Sequence, residues 1–472
     1  MTGRFLPPVS PKLASRSRLA SGHAALVVAS AAWMFGGKIW WSKPILCLLV
    51  TPAIVLTVWE FLARRTRTSA GAFAPFVWLL PMGALTGLIV LGAAIPNLVQ
   101  RSFGVETLWF PRAMSAWWPS SADGHKALDE LWLLAGCYLT GFNLFVCVRS
   151  RRALRALFLF LASNALALAV FGTLQKLTGQ DIFFGLQHSP NASFFSTFVY
   201  HNHWGAFTVL TISVCLGLVF HYTHRSRARN VWHSPATLGA LATFFIAATV
   251  PLSSSRSSTL LVGGLLGIAL AHGTVVLVRR ARRDGRSASA PVLAVFLVFA
   301  IACGAAYALG ERTIRDRLAT TRLQIAEMEA RGDIGQRKTL YADTLHMSAD
   351  KRWFGWGLES YERIFPLYNS TPRSPVDGLP IYYQEAHSDW LQALAEIGVV
   401  GTLLLVASVY WPLVAQRGRI PGHPTAVYPL LGCAGVALYA CVEFPLANPA
   451  VVAAWWVTFF AALRYASLSE NR

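Results

Sequence analysis

The chain of 472 residues is 54% hydrophobic and only 13% charged, against roughly 25% charged in an average soluble domain. Its mean hydropathy is +0.46, because apolar residues come in runs of about 18–22, each long enough to cross a hydrocarbon core. This excludes a soluble globular enzyme, and the lack of short alternating strands excludes a transmembrane barrel. A net charge of +19 would suit nucleic acid, but the arginines follow hydrophobic runs in short loops. They read RRTR (Arg64, Arg65, Arg67), RSRR (Arg149, Arg151, Arg152), RSRAR (Arg225, Arg227, Arg229) and RRARRDGR (Arg279 to Arg286). Clusters spread in this way follow the positive-inside rule and do not make one nucleic-acid groove.

In chain order, residues 1–22 carry Arg4, Lys12, Arg16 and Arg18 with no apolar core and cleavage site, and read as a cytoplasmic N-terminal tail. Apolar windows follow near 23–41, 44–63, 75–95, 130–148, 153–172 and 204–222, then near 236–252, 257–278, 291–310, 389–412, 425–443 and 449–466. The expected fold is all-α: a polytopic integral membrane protein with about 12 transmembrane helices. With the N-terminus inside, every arginine cluster falls on the cytoplasmic side, as do Arg417, Arg419 and the C-terminus. The other side receives one large helical loop, 311–388. In that loop a charged helical run, ERTIRDRLATTRLQIAEMEARG, is broken at Gly332 and Gly335 before RKTLYADTLHM starts a second helix. The proline-rich PRSPVDGLP connects onward to AHSDWLQALAEIGVVG. The organisation is a tail (1–22), N-terminal transmembrane helices (23–194), a region with the polar loop (195–445), and a last transmembrane helix with C-terminal tail (446–472).

All seven cysteines (Cys47, Cys137, Cys147, Cys215, Cys303, Cys433, Cys441) lie in apolar spans, and no CxxC occurs. They read as small buried hydrophobes rather than a disulfide framework or thiolate metal site. No P-loop, GxGxxG or GxSxG element appears.

Three positions on the non-cytoplasmic side can carry chemistry. Arg256, in PLSSSRSSTLLVGG, stands where a spanning helix begins, and free N–H groups beside an arginine make a natural anion site. The alternative is an interfacial arginine reaching to water. Arg337 shares a helical face with Tyr341 and Thr344, or belongs to a solvated basic face. His387 sits where the loop re-enters the membrane, between Glu385 and Asp389, with Ser388 or Asp389 able to cap the next helix. There it can accept a proton near neutral pH with a carboxylate to orient it, or serve as a satisfied polar residue at a helix end. His201, Asn202 and His203 precede another span. Their spacing fits local hydrogen bonding or substrate contact better than a metal site, which would need further ligands.

Taken together, YHNHWGAF (200–207), SSSRSS (253–258), GQRKTLY (335–341), WFGWGLESY (353–361) and AHSDWLQALAEIGVVG (386–401) resemble the O-antigen ligase and polymerase superfamily of bacterial membrane glycosyltransferases. The resemblance covers roughly 195–445. It implies a multi-pass inner-membrane enzyme, with loop 311–388 periplasmic, that moves a glycan from an undecaprenyl-diphosphate carrier to an acceptor hydroxyl. The acceptor would be lipid A–core, another surface acceptor or, for a polymerase, a second carrier-linked repeat of O-antigen or exopolysaccharide. The reaction would invert the anomeric centre and need no metal or other cofactor. By position, Arg256 and Arg337 correspond to the arginines on the donor diphosphate and His387 to the base. His201, Asn202, His203, Tyr341 and Asp389 are expected as further substrate contacts. The chain departs from the family at Ser388, where many relatives carry asparagine, and at His201–His203, where they often read asparagine-proline-asparagine. A lipid-linked glycan transporter is the reading from another class. Against it, the spans hold few acidic residues (Glu60, Glu396, Glu443) and show no two-fold hydropathy symmetry.

Overall fold

Several membrane-spanning helices begin where a short polar side chain takes up orphan N–H groups. Asp123 accepts from the Lys126 N–H at 3.1 Å and starts α5 (Gly124–Cys147), and Ser150 does the same for α6 (Arg151–Leu177). Ser388 caps α11 (Asp389–Gln416), and Asn448 caps α13 (Pro449–Ser467) with bonds of 3.1 and 3.2 Å. The structure is a computed structural model. It describes residues 11–65, 73–103, 106–112, 117–179, 182–183, 187–188, 194–225, 234–253, 255–297, 299–300, 304, 336–371 and 381–469.

The other principal helices are α1 (Pro11–Trp33), α2 (Ser42–Val50), α3 (Pro52–Arg65), α4 (Leu79–Ala93), α7 (His201–Arg225), α8 (Pro235–Leu252), α9 (Arg256–Arg283), α10 (Gln336–Asp350) and α12 (Pro424–Tyr439). Among the described residues nine helices are long and apolar enough to cross a membrane, α2 and α3 counting as one span, and α12 is a shorter apolar helix. The chain is thus a mostly helical, multi-pass membrane protein. Half of the expected span at 291–310 lies outside the described residues, as do the whole charged run at 311–335 and the connector at 372–380. The first helix differs from expectation. It begins at Pro11, within the segment read as a tail, and ends at Trp33 rather than near 41. Gly36 and Gly37, at φ 67° and 83°, terminate it. A Cβ on Gly36 would lie 2.5 Å from the Asn448 side chain, so only glycine lets this turn approach the α13 cap. Two short antiparallel hairpins, Leu98–Phe103 with Glu106–Pro111 and Ile182–Phe183 with Gln187–His188, add strand that the all-α expectation did not include.

The centre of the bundle is α7 and α13, both almost wholly buried. α7 packs on α12, α8 and α6, and α13 packs on α5 and α12. Trp204, Phe207, Tyr138, Phe142 and Phe459 fill the space between them. α9 keeps most of its surface outward.

The WFGWG and IGVVG segments explain each other. α11 is interrupted at Gly398 (φ 66°, ψ −173°), and the 352–357 strand of backbone enters the break. Trp356 and Gly357 donate to the carbonyls of Ala395 and Glu396 at 2.9 and 2.7 Å, while Val399 and Val400 donate to Arg352 and Trp353 at 2.9 and 3.1 Å. The helix thus trades its own ladder for bonds to an inserted chain, a recognised cause of kinking. A Cβ on Gly355 would sit 2.3 Å from the Glu396 backbone. Buried Glu396 completes the joint by accepting the Tyr361 N–H at 3.0 Å. This joint ties the segment after α10 to the helix that follows His387.

Candidate functional site

Four stretches far apart in sequence meet at the end of the bundle opposite Arg16, Arg64 and Arg149. They are the start of α10, the residues before α11, the turn between α12 and α13, and the residues opening α7. At their centre is Glu443, whose side chain is 6% exposed. Its Oε1 accepts from Arg337 Nη2 at 2.5 Å, and its Oε2 lies 3.7 Å from His387 Nδ1 and 3.5 Å from the Tyr200 hydroxyl. Arg337 also donates to the Val442 carbonyl at 3.1 Å. Burial penalises the charged carboxylate, yet the adjoining His387 and Arg337 outweigh that and hold Glu443 below the usual glutamate range. The same pairing raises Arg337 above its ordinary value against the opposing effect of burial.

His387 adopts φ 53°, a left-handed conformation uncommon for a residue with a Cβ and costing of order 1 kcal/mol or more. The surroundings hold it there. Ser388 begins the helix cap immediately after it, and the Tyr341 hydroxyl donates to the His387 carbonyl at 2.9 Å. The imidazole stands edge-on to Phe444, with centroids 4.9 Å apart. Its side chain is 29% exposed, but Nδ1 is buried and, at 3.7 Å from the carboxylate, makes no hydrogen bond. The ring therefore turns Nδ1 inward toward Glu443 and leaves Nε2 as the nitrogen for a ligand.

The expected residues divide. Arg337, Tyr341 and His387 come together, with Tyr341 holding the His387 peptide. Thr344, on the same helical face, continues inward to the Tyr361 hydroxyl at 2.8 Å. Arg256 is the first residue of α9 and is exposed. Its neighbour Ser255 contacts the Tyr439 hydroxyl at 3.2 Å, one turn before Glu443, so Arg256 stands at the same end of the bundle. Ser255 holds the N-cap position of α9, but its hydroxyl donates to Ser258 Oγ at 2.8 Å and makes no cap. The N–H groups of the first turn are thus not taken up by that side chain. Asn202 acts indirectly. Its amide donates to the Tyr200 hydroxyl at 2.9 Å, which faces Glu443. His201 stacks beside Tyr200, and buried His203 lies against Phe444 and Asn448. Asp389 and Glu385, the carboxylates nearest His387 in sequence, are engaged elsewhere. Asp389 accepts the Leu446 N–H at 2.8 Å, and Glu385 pairs with Lys38 at 3.3 Å and Gln392 at 2.9 Å.

The carboxylate facing the histidine is therefore Glu443, which the sequence offered only as one of three acids in apolar runs. Its signal was available, because an acid inside an apolar run is expensive and tends to mark function. Tyr200, just ahead of the HNH run, was missed in the same way. Among the described residues no group of three or more His, Cys, Asp or Glu is arranged to hold a metal ion.

Beside the site, between α4, α5, α11, α12 and α13, lies a cavity of about 360 Å³. Leu85, Leu405, Val409 and Trp455 represent its apolar walls, and Glu385 and Asp389 stand at the end nearest His387. The arrangement offers a base with an inward-facing carboxylate, a cation half-exposed beside it, and apolar volume running away into the bundle.

No curated protein matches the chain. Residues 241–406 match the O-antigen ligase family model, Wzy_C, a span that contains Arg256, Arg337 and His387 and stops short of Glu443. That match supports the resemblance to the O-antigen ligase and polymerase superfamily over this part of the chain.

Proposed function

We propose that this protein is a glycosyltransferase of the O-antigen ligase type, moving a glycan from an undecaprenyl-diphosphate carrier to an acceptor hydroxyl at the periplasmic face of the bacterial inner membrane. The observation that carries the reading is the convergence of Arg337 and His387, from opposite edges of one long segment, on a single buried carboxylate beside an apolar cavity. Arg337 and Arg256 take the donor diphosphate, since a guanidinium stays charged and its planar fork matches phosphate oxygens. Their charge stabilises the diphosphate as it departs. His387 Nε2 takes the proton of the acceptor hydroxyl while that oxygen attacks the anomeric carbon on the face opposite the leaving group, which inverts the centre. The cavity accommodates part of a substrate's hydrocarbon chain. No step requires a metal.

A strain lacking the gene and carrying variants of it tests this reading. Arg256→Ala and Arg337→Ala should each reduce glycan transfer by about 100-fold or more, the scale expected when charge stabilisation of a leaving group is lost, with protein levels unchanged. Near-parental transfer by both variants contradicts the site. A glycan gel from the deletion strain separates the acceptors. Full-length polymer left on its carrier identifies a ligase, and single repeats identify a polymerase. Movement of lipid-linked glycan across vesicles without any acceptor would favour transport instead.

A further inference from the structure

Glu443 lies outside the segment that matches the ligase family, yet Arg337, His387 and the Tyr200 hydroxyl all face it. We infer that Glu443 is the positioning residue for His387, turning Nδ1 inward, carrying the counter-charge for the imidazolium formed during transfer, and holding Arg337 at the mouth of the site until donor arrives. The inference rests on the transferase reading and adds to it a residue that touches neither substrate.

The geometry carries the argument. Oε2 is 3.7 Å from a buried Nδ1 that has no hydrogen bond, so a shift of less than one ångström would make one. The carboxylate cannot instead serve a ligand directly, because its side chain is 6% exposed. Its other oxygen is held by Arg337 at 2.5 Å. Arg337 itself is 49% exposed, and so can reach a diphosphate while Glu443 stays in place. In the reaction the acceptor O–H bond breaks and its proton passes to Nε2. The acceptor oxygen forms the new bond to the anomeric carbon, and the bond to the diphosphate breaks with its electron pair leaving on phosphate. The imidazolium left behind carries one proton on each nitrogen, with Nδ1–H facing the carboxylate. Solvent later removes the Nε2 proton and restores the base. This is the role a buried carboxylate plays beside a catalytic histidine elsewhere, fixing tautomer and orientation without being protonated.

Other charged and titratable groups stand around the ring. Arg337 bonds Glu443 and Tyr341 bonds the His387 carbonyl from α10, while Tyr200 lies against Glu443 and His203 against Phe444 at the start of α7. Glu385 and Asp389 flank it in sequence, with Lys38 paired to Glu385. Of these, Glu443 alone is within ion-pair distance of the imidazole among the described residues. Its loss should therefore dominate any change in the acid limb of the rate profile.

The test measures transfer from a lipid-linked donor in reconstituted membranes across pH, with His387→Ala run beside Glu443→Gln and Glu443→Asp. Glu443→Gln should lower kcat by about 100-fold, within the range general base catalysis contributes, and change the donor KM by less than about threefold. Its acid limb should move down by about one pH unit, because an imidazole without its neighbouring negative charge protonates less readily. Glu443→Asp, which keeps the charge but draws it back, should show a smaller fall and a smaller shift in the same direction. If Glu443→Gln is not recovered folded, the aspartate variant decides. A lowered acid limb supports the role, and an unmoved one overturns it. A folded Glu443→Gln with parental kcat, or with reduced kcat and an unmoved acid limb, overturns the inference while an inactive His387→Ala leaves the transferase reading standing. An active His387→Ala removes both.

Discussion

Two glutamates, one at each end of the bundle, pair with arginine in different settings. Glu60, at 2% exposure, accepts from Arg64 at 2.8 Å, Arg16 at 3.0 Å and Arg149 at 3.3 Å. Guanidinium groups there also donate to helix-end carbonyls. Arg64 Nη2 donates to Val146 and Arg464 Nε to Val148, both at 2.7 Å, where the carbonyl ends of α5 carry partial negative charge. Glu443 has a single arginine, half-exposed, and a histidine beyond hydrogen-bond range. One network gathers three arginines on a single carboxylate and ties α1 and α3 to the end of α5. The other keeps a cation and a base partly open. Burial and the number of arginines on the carboxylate, more than residue type, separate the two settings.

The largest effect that tests this contrast is on stability. Glu60→Ala leaves several arginines in a buried setting without their carboxylate, and breaking a buried ion pair costs about 3–5 kcal/mol. Most of that variant should fail to give a monodisperse peak on size-exclusion chromatography. A well-folded Glu60→Ala with parental thermal stability would break the distinction. Glu443→Gln, by the same measurement, should lose about 1 kcal/mol or less, since its arginine partner is half-exposed and such pairs are screened. Acid should reach the Glu443 pair at low pH only. A carboxyl held below its ordinary value stabilises the fold above the normal glutamate range, and that contribution is lost as pH falls through the lowered value. The smallest effect belongs to Tyr341→Phe, which removes one hydroxyl holding the left-handed His387 peptide. The loss of one hydrogen bond, about 1 kcal/mol, should lower transfer by about fivefold with the donor KM unchanged. An unchanged rate would mean that Ser388 and the helix cap hold the histidine unaided.

The spans were legible because lipid demands long apolar helices with every backbone group paired internally. Where the demand is weaker the reading slipped. α1 begins at Pro11 because Arg16 finds Glu60 and stacks on Trp59, so a polar-looking segment is held as helix by partners more than forty residues away. The hairpin at Leu98–Pro111 lies in a connection with no lipid constraint on its pattern. In the site, Arg337 and His387 stood out because glycines and a polar-to-apolar boundary mark them locally. Glu443 is set in a run of apolar residues, and its partners are 56 to 243 positions distant. Only the folded bundle shows that it faces the histidine. Likewise the glycines of WFGWG and IGVVG look like turn residues in sequence, and their shared purpose, one backbone inserted into another helix, is a tertiary fact.

The central claim is that the centre around Glu443 performs glycan transfer with His387 as its base. Proteoliposomes containing purified protein, a lipid-diphosphate-linked glycan and a choice of acceptors test it most directly, with His387→Ala compared with the parent at equal folded protein. The account predicts transfer by the parent and a fall of about 1,000-fold or more for the variant, within the range lost when a general base is removed. Transfer by His387→Ala within about threefold of the parent would contradict it.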